Sequence, residues 1–506
     1  MISPLFQDEI LCQSLTLGFY LLFMGLGTFH GSKKKLGRWC HFFNIEFLLT
    51  SYSSVLAILI YSIAFIEQVF FSRFITQNSA VSALMPFQIA SITLGYLTGL
   101  EIPLLKKFCE EKNIQISLNF LLSGSYFGAI TSSFITYFFL FPHYNFDQSL
   151  LLVGLVNWAC ALLTASITPL PLNRFAFRCG VLLLLLFAAM RLQPLTKKVE
   201  QLFLKSYYSE IKNSEWTRNA IFNTFSFLND LRPIQRIQTS YQAIDLIPEH
   251  IGYPEVLKNE FALYLDLQPQ FSESSTELYH QTMSHGAINL SGKIPQNVLI
   301  LGGGDGLLAR ELLRYEEVQK ISLVELDPQM INLAQNDYRF LRLNENSLQN
   351  PKIHIKMTDA YQFIKTTNEK YDAIFIDFPF PFSYEISRLY SVEFYKNILS
   401  ILSPGGFAVI DCPINRDFAQ IEETPQAIIA KTVQTAGFEN TLLFGPLDPF
   451  LFIENHQPKI QFRYEVLPSF VSNKTLVNLT PLNHLLPEKI SSINHINSIF
   501  KPRRFR

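Results

Sequence analysis

The chain has 506 residues, of which 48 % are hydrophobic and 16 % are charged, and its formal net charge is −1 at pH 7. This length predicts two or three domains. Without a basic surplus the chain lacks the long-range field expected of a nucleic-acid-binding protein, and its apolar content excludes disorder. The six cysteines are scattered, with no Cys-x-x-Cys pair, so we expect neither a disulfide framework nor a metal site.

Charged residues are unevenly distributed along the chain. Residues 1–192 contain 19 of the 83 Asp, Glu, Lys and Arg residues, which is about half the density of the remaining 314 residues. Five stretches of this part carry no formal charge and are long enough for a bilayer, which a helix of roughly 20 apolar residues crosses. The stretches are Ile10–Ser32, Phe47–Ile66, Phe74–Leu100, Asn113–Phe146 and Gln148–Asn173. We therefore predict that residues 1–192 form a transmembrane helical domain of five or six spans, with the lipid bilayer as its partner.

Basic residues predict the orientation of these spans. Lys33–Arg38 and Lys106–Lys112 are dense basic loops, and such loops stay in the cytoplasm. Five spans would then place the second half of the chain in the cytoplasm. A sixth apolar stretch, Cys179–Met190, would place the second half outside the cytoplasm if it crossed the membrane fully. We therefore expect this stretch to be interfacial or re-entrant. The predicted location is a multi-pass position in a bacterial inner membrane, with the second half of the chain on the cytoplasmic side.

The second half of the chain begins with a polar, mixed segment and continues as an α/β domain. Residues 193–233 have the pattern of an amphipathic connector helix. Over residues 293–460 short strands alternate with helices, which predicts an open, doubly wound, Rossmann-like sheet. The predicted strands are Asn297–Gly304, Lys320–Leu326, Lys352–Thr358, Tyr371–Asp377, Gly406–Asp411, Thr441–Phe444 and Phe450–Ile453, with a helix near Ala427–Ala436 before the last two.

Glycines and acidic residues stand at the carboxyl ends of successive predicted strands, where open α/β sheets bind ligands. The first strand ends in a glycine run around Asp305, and Glu325, Asp359 and Asp377 end the next three. Glu325 lies about 20 residues after the glycines, where a carboxylate can accept ribose hydroxyls. The glycines of the run are Gly302, Gly303, Gly304 and Gly306. This pattern predicts a site for an adenosine nucleoside.

The same acids indicate the charge of the ligand. Phosphates are bound by backbone N–H groups and cations, but no P-loop lysine follows the glycines, and Asp305 stands where a pyrophosphate would lie. We therefore expect neither a dinucleotide nor a nucleoside triphosphate. A cationic sulfonium nucleoside suits the site, and no cofactor is expected.

Several motifs resemble those of the spermidine synthase (polyamine aminopropyltransferase) family. The similarity runs from about Ile237 to Asp411. The motifs that carry it are Ser240–Ile244, Leu263–Gln270, Tyr279-His280, Gly302–Gly306, Glu325 and Asp359-Ala360. The helical half, including Gly99–Leu105, is similar to the membrane-fused, multi-span version of this family.

The resemblance implies a fold and an activity. The fold is a class I methyltransferase-like sheet, preceded by a small β-hairpin subdomain over residues 234–292 and followed by an extension over 461–506. The activity is transfer of the aminopropyl group of decarboxylated S-adenosylmethionine, the co-substrate, to an amine such as putrescine, with release of methylthioadenosine. Family members often pair, which implies a homodimer.

The resemblance also implies a role for each site residue. Asp377 would accept the proton of the attacking ammonium, and Asp305 would hold the amine of the aminopropyl arm and repel the carboxylate of ordinary S-adenosylmethionine. Tyr279 and His280 would face the amine. The residues that would bind the nucleoside are Gln242, Gln270, Glu325, Asp359 and Ala360.

The chain departs from the family in the loop after the fourth strand. Where the family has a second aspartate, this chain has Phe380, so one acceptor carboxylate is missing. The family's Asp-Glu before Tyr279 is Ser275-Thr276, and Leu267 replaces a glycine. We expect weaker use of putrescine, a more apolar acceptor, or loss of activity. Two alternatives stay open: an S-adenosylmethionine-dependent methyltransferase, and a catalytically degenerate polyamine- or nucleoside-binding membrane protein.

Overall fold

The computed structural model divides the chain into two compact units. Unit 1 comprises residues 1–259 with 266–268, and unit 2 comprises residues 260–265 with 269–506. The division falls within the predicted 234–292 subdomain. The structure describes residues 9–33, 42–66, 69, 85–111, 113–140, 143–144, 148–150, 152–157, 159, 194–209, 218–248, 260–273, 276–381, 384–412, 424–445, 450–455, 486, 489–493 and 496–502.

The described residues of unit 1 are mainly helical, and the long helices overlap the charge-free stretches, although the third continues beyond Leu100 to Glu111. The long helices are α1 (Glu9–Ser32), α2 (Phe42–Ile66), α3 (Met85–Glu111) and α4 (Leu118–Ile135), and a π-helical turn, Thr136–Leu140, extends α4. Gln148–Asn157 is a shorter apolar helix, residues 194–208 are helical, and α5 is Arg218–Asp230. The sixth predicted stretch, Cys179–Met190, and nearly all of the 461–485 part of the extension lie outside the described residues.

Helices α1 and α3 pack in very close contact through glycines. A Cβ atom at Gly99 would lie 2.1 Å from the carbonyl oxygen of Met24, and one at Gly95 would lie 2.3 Å from that of Tyr20. Both residue numbers rise from the first contact (Gly95 with Tyr20) to the second (Gly99 with Met24), so the two helices are parallel. Small residues spaced four apart allow this approach of two backbones and are typical of helix packing in membranes.

A lysine of α3 contacts the carboxyl end of α1. The Lys107 ammonium group donates hydrogen bonds to the carbonyl oxygens of Gly31 (2.8 Å) and Lys33 (2.6 Å). Lys107 belongs to the second basic segment, which is helical up to Glu111, and Lys33 begins the first. These two lysines therefore lie at the same end of the helix pair.

The outer surface of the helical unit is apolar. Helix α4 has no buried residue, and its Phe120, Phe127 and Ile130 side chains are 68 %, 74 % and 64 % exposed. Three of its hydroxyl groups are satisfied within the helix, because Thr131 donates to the carbonyl oxygen of Phe127 (2.9 Å) and Ser132 and Ser133 donate to that of Ala129 (3.0 and 2.9 Å). An apolar surface with internally bonded hydroxyls suits a non-aqueous environment.

The described helices do not provide five or six separate spans. Among the residues that the structure describes, no single helix combines the length and apolar character needed to cross a bilayer, although Asn44–Ser53 and Val55–Ile66, which meet at a 52° bend, do so together. Charged and hydroxyl residues within the helices are the physical reason. Helix α3 ends in Lys106, Lys107, Glu110 and Glu111, and α4 contains five serine and threonine residues.

Two β-hairpins precede the large sheet. In unit 1, β1 (Gln235–Gln238) pairs antiparallel with β2 (Ala243–Pro248), and Arg236 forms a bidentate ion pair with Asp245 across them at 2.6 and 2.5 Å. Strands β3 (Phe261–Leu265) and β4 (Gln268–Ser272) follow. The presence of these strands agrees with the predicted β-strand character of residues 234–292.

Unit 2 contains a seven-stranded mixed sheet. Its order is β10-β11-β9-β8-β5-β6-β7, and all neighbours are parallel except that β11 is antiparallel to both β9 and β10. This is a Rossmann-like, methyltransferase-type sheet, which confirms the predicted doubly wound fold. The strands are β5 (Asn297–Gly302), β6 (Lys320–Glu325), β7 (Ile353–Met357), β8 (Tyr371–Asp377), β9 (Leu402–Asp411), β10 (Asn440–Phe444) and β11 (Phe450–Glu454).

Helices cover both faces of this sheet. They are α6 (Thr276–Gln281), α7 (Ala287–Ser291), α8 (Leu307–Leu312), α9 (Pro328–Asn336), α10 (Tyr338–Asn344), α11 (Ala360–Thr366), α12 (Tyr384–Ser387), α13 (Val392–Ile401) and α14 (Pro425–Ala436). Alternate strand residues enter two cores: Phe375 and Val409 lie in the core that contains Tyr279 of α6, whereas Ile376 and Ile410 lie in the other. By the same alternation, Asp377 and Asp411 project toward the α6 side.

Chain order reverses between β5 and β8, which are adjacent although β6 and β7 separate them in sequence. Such a reversal opens a crevice at the carboxyl ends of the strands, and this crevice binds ligands in open α/β sheets. The register places Gly302 opposite Asp377 at that point. The fold therefore brings the glycine run and the acid of β8 to one edge.

The glycine contact of the helical unit makes a direct prediction. In Gly99→Ala the new methyl group must force α1 and α3 apart, so we expect a loss of roughly 1–3 kcal/mol in stability, the usual cost of overpacking. The control is Gly124→Ala on α4, where a Cβ meets no atom within 4 Å. Thermal unfolding of both variants in the same detergent would measure the difference. Equal unfolding temperatures would contradict the close packing.

Candidate active site

The glycine run is shaped by the carboxylates that approach it. A Cβ at Gly303 would lie 3.2 Å from Oδ2 of Asp377, and one at Gly304 would lie 2.5 Å from Oε2 of Glu325. Gly302 and Gly303 have φ angles of +85° and +61°, which strain any residue with a side chain. The run thus lets two strand-end acids lie directly against the backbone of the first strand's loop.

Asp305 is held at the start of α8. Its Oδ1 accepts a hydrogen bond from the backbone N–H of Leu307 (2.8 Å), and its carbonyl oxygen accepts one from the buried Asn344 amide (2.9 Å). Burial raises the pKa of Asp305 to about 6. The carboxylate is therefore fixed in place and kept from water, and it would be stabilised by a cation.

Glu325 ends β6 in a turn that organises its own carboxylate. Oε1 accepts the backbone N–H groups of Leu326 (2.8 Å) and Asp327 (2.9 Å), which leaves Oε2 on the side of Gly304. Burial raises its pKa to about 7, although these two hydrogen bonds oppose the shift. A group arranged in this way can accept hydroxyl hydrogens at the edge of the crevice.

Asp377 and Tyr279 form the central contact of the site. The Tyr279 hydroxyl donates to Oδ1 of Asp377 at 2.9 Å. Burial, with the nearby Asp305 charge as a smaller cause, raises the pKa of Asp377 to about 6, and burial together with Asp377 raises that of Tyr279 well above its usual value. At neutral pH Tyr279 is thus a neutral donor to a carboxylate.

His280 supports this contact from behind. It is buried, its Nδ1 is hydrogen-bonded to the carbonyl oxygen of Thr276 (2.7 Å), and its ring meets that of Tyr279 edge-on at 4.8 Å. Burial lowers its pKa, so the imidazole is neutral at pH 7. A neutral ring whose Nδ1–H donates to a carbonyl leaves Nε2 as an acceptor.

Asp359 has structural partners that the sequence did not reveal. Its Oδ1 caps α11 by accepting the N–H of Gln362 (3.0 Å), and its Oδ2 forms an ion pair with Arg388. Ala360, the first residue of α11, is buried. These contacts fix the end of β7, and they mean that a ligand would share the Asp359 carboxylate with a guanidinium group.

The two predicted glutamines fall in different units. Gln242 lies in unit 1, immediately before β2, where its carbonyl oxygen accepts the N–H of Thr239 (2.9 Å). Gln270 lies in unit 2 on β4, and its side-chain amide donates to the carbonyl oxygen of Pro269 (3.2 Å). The structure thus brings Tyr279, His280, Asp305, Glu325 and Asp377 together, while the roles of the glutamines stay predictions.

The described aromatic residues after β8 pack against the hydrophobic core. Phe378 is buried and packs edge-on against Tyr390 and Phe394, and Phe380 is partly buried against the same core. The Tyr390 hydroxyl donates to the carbonyl oxygens of Phe378 (3.4 Å) and Pro379 (3.3 Å). These contacts fix the loop that carries Asp377. Phe382, the third aromatic residue of the loop, lies outside the described residues.

Asp411 is a site residue that the sequence analysis missed. It ends β9 as Asp377 ends β8, because Ile376 pairs with Ile410 directly before them. Asp411 also lies close to Tyr279, because burial and then the charges of Asp377 and Asp411 raise the pKa of Tyr279. The signal was present: the predicted strand Gly406–Asp411 ended in a fifth acid, which the pattern of acidic strand ends should have included.

The described site has a strong excess of negative charge. Five carboxylates end five strands or their loops, and Asp359 is paired with the Arg388 guanidinium group. They are Asp305, Glu325, Asp359, Asp377 and Asp411. No group of three or more potential metal ligands occurs in the described part of the chain. Charge complementarity favours an organic cation as the ligand.

A protein-family comparison agrees with this geometry. Residues 276–420 match the model of the spermine/spermidine synthase domain. This range contains Tyr279, the glycine run, Asp377 and Asp411. This part of the chain is similar to that domain.

Curated relatives extend the similarity beyond that domain. A polyamine aminopropyltransferase of Oceanobacillus iheyensis is 28 % identical over 416 residues, which cover 81 % of this chain and 72 % of that protein. Polyamine aminopropyltransferase 1 of Streptomyces coelicolor is 31 % identical over 364 residues, or 70 % of this chain and 62 % of that protein. Alignments of this length exceed unit 2, so the similarity reaches well into the helical half.

A solved structure is similar over part of the chain. The spermidine synthase of Thermotoga maritima aligns with a TM-score of 0.41 at 20 % identity and covers 51 % of this chain and 88 % of that one.

Because these acids are buried, we predict that the free energy of unfolding depends on pH. Because the pKa of Asp377 is raised above its unfolded value near 3.8, the native state binds more protons than the unfolded state, and stability falls as the pH rises from about 4 to about 6. Asp377→Asn removes this loss of stability. We expect it to raise the free energy of unfolding by about 1–3 kcal/mol at pH 7, with little effect at pH 4.

Unfolding curves from pH 4 to pH 8 would measure this effect. The matched control is Glu439→Gln, which removes one exposed acid from the same unit. A variant Asp377→Asn that is less stable than the parent at pH 7 would contradict the electrostatic reading.

Proposed function

We propose that this chain is a polyamine aminopropyltransferase that transfers the aminopropyl group of decarboxylated S-adenosylmethionine to an amine. The observation that carries the proposal is the Tyr279–Asp377 hydrogen bond beside Asp305 and the glycine run. A carboxylate kept from water beside a fixed donor is suited to bind an ammonium group and to take its proton. The curated relatives named polyamine aminopropyltransferases support the same reaction.

The donor is recognised by its positive charge. Decarboxylated S-adenosylmethionine carries a sulfonium and a primary ammonium but no carboxylate, so Asp305 would bind the ammonium of its aminopropyl arm. Ordinary S-adenosylmethionine would place a carboxylate against the same acid, which repels it. This repulsion favours aminopropyl transfer over the methyltransferase alternative. Glu325, through Oε2, would hold the ribose hydroxyls.

The adenine end of the nucleoside would lie toward Asp359 and Ala360. Since Arg388 already pairs with Asp359, an adenine amino group would share that carboxylate. Gln270, which belongs to the same unit, is a further proposed nucleoside contact.

The acceptor reacts as a free amine. An alkylammonium has a reference pKa near 10.4, so it must lose a proton before it attacks. Asp377 accepts that proton, and the nitrogen lone pair then forms a bond to the aminopropyl carbon while the C–S bond breaks. The bonding pair stays on sulfur, which becomes the neutral thioether of methylthioadenosine. Since sulfonium is already a good leaving group, positioning and proton removal are the main tasks of the protein.

We also propose that the helical half is embedded in a membrane, with unit 2 in the cytoplasm where the nucleoside donor is made. The charge-poor sequence, the apolar exterior of α4 and the glycine packing of α1 and α3 support this. The two lysines at the same end of the helix pair support the orientation.

The activity is tested with the purified full chain, decarboxylated S-adenosylmethionine and a panel of mono- and diamines, with methylthioadenosine as the readout. We expect turnover with at least one amine, and a fall in kcat/KM as the pH drops through about 6, where Asp377 becomes protonated. Asp377→Asn should lower kcat by about 100-fold or more, the usual contribution of a general base. Consumption of ordinary S-adenosylmethionine instead would favour the methyltransferase.

The membrane proposal is tested separately in the host cell. The full chain should stay with membranes after carbonate extraction. A fluorescent reporter fused after Arg506 should be active, whereas a phosphatase that works only outside the cytoplasm should be inactive at the same position. The opposite reporter pattern would exclude cytosolic catalysis.

A further inference from the structure

The acceptor site of this chain lacks the second loop carboxylate of the related enzymes. Phe380 takes its position, and the structure packs the Phe380 side chain against the hydrophobic core. Within the described residues, a different strand supplies another acid close to the same point.

Strand pairing brings Asp411 beside Asp377. The parallel strands β8 and β9 are in register up to Ile376 and Ile410, so both aspartates occupy the next position on neighbouring strands. Backbones of neighbouring strands are about 4.8 Å apart, and residues in register project to the same face. That face carries α6, which places both carboxylates under the Tyr279 side chain.

Aromatic packing fixes Tyr279 over this pair. Its ring meets the ring of Phe450 edge-on at 5.0 Å, and Phe450 is the direct β11 partner of Asp411. The Tyr279 hydroxyl donates to Asp377 at 2.9 Å, and Phe450 connects the Tyr279 ring to the strand position of Asp411. Tyr279 therefore offers one hydroxyl hydrogen at a point that two carboxylates approach.

A single hydroxyl proton cannot neutralise two carboxylates. An ammonium group has three N–H donors and a positive charge, so it can satisfy both acids at once. Two acids on adjacent strands are too close to hold the two ends of an extended diamine, but they are well placed to hold one ammonium between them.

We propose that Asp411 is a second acceptor-binding carboxylate, which holds the attacking ammonium together with Asp377. It supplies the contribution to acceptor affinity that the missing loop acid would have made, from a different position. The inference rests on the proposed aminopropyl transfer. It implies that the site binds mainly the reacting amino group of the acceptor. Asp411 therefore increases the affinity for a monoamine and for a diamine by the same factor. Asp377 remains the proton acceptor.

The test compares Asp411→Asn with the parent chain, using a 1,4-diamine and the n-alkylamine of the same length. We expect the KM of both amines to rise by a similar factor, about ten- to a hundredfold, as expected for the loss of a charge-assisted contact. The kcat value should stay within about threefold, in contrast to Asp377→Asn. Glu439→Gln serves as the charge-matched control and should change neither constant.

Calorimetric binding of methylthioadenosine shows whether each variant retains its nucleoside site. An unchanged acceptor KM in a variant that binds methylthioadenosine normally would overturn the role of Asp411, and so would a rise confined to the diamine. If the parent chain itself releases no methylthioadenosine with any amine, the proposed function fails instead, so the two failures are distinguishable.

Discussion

The repulsion between carboxylates at the carboxyl edge of the sheet is the constraint on which the site depends. Parallel strands end at the same edge, so Asp377 and Asp411 must lie side by side once β8 and β9 pair in register. Burial raises the pKa of Asp377 and that of Asp305 because neither charge can be hydrated fully. A cation bound beside these acids would stabilise their charged forms.

The surrounding contacts hold these acids in place without neutralising them. Glycines let Asp377 and Glu325 approach the first loop, and Tyr390 fixes the loop after β8 through two backbone carbonyl oxygens. Tyr279 offers a neutral donor to Asp377. Asp359, by contrast, is largely compensated by Arg388. Asp359 is therefore the better compensated carboxylate, and Asp377 and Asp305 are suited to the cationic groups of the proposed donor and acceptor.

The helical half uses a different kind of packing. Backbone approach at Gly95 and Gly99 replaces the large side chains that join helices in a water-soluble core, and apolar side chains such as Phe127 are directed outward. Such packing fits the proposed membrane location, because apolar burial does not drive helices together in lipid and close van der Waals contact has to do so. The bend within α2 and the polar ends of α3 explain why the charge-free stretches did not become simple, straight spans.

Local sequence determined the elements of the α/β half, because strand periodicity, glycine turns and helix caps act over a few residues. It thereby predicted β8 and the placement of Asp305, Glu325 and Asp377 at strand ends. Only the tertiary structure decided which groups meet: that Asp411 joins Asp377 under Tyr279, that Arg388 occupies Asp359, and that Phe380 enters the core. These contacts join residues up to 132 positions apart in the sequence, and strand order and register, which no local pattern encodes, bring them together.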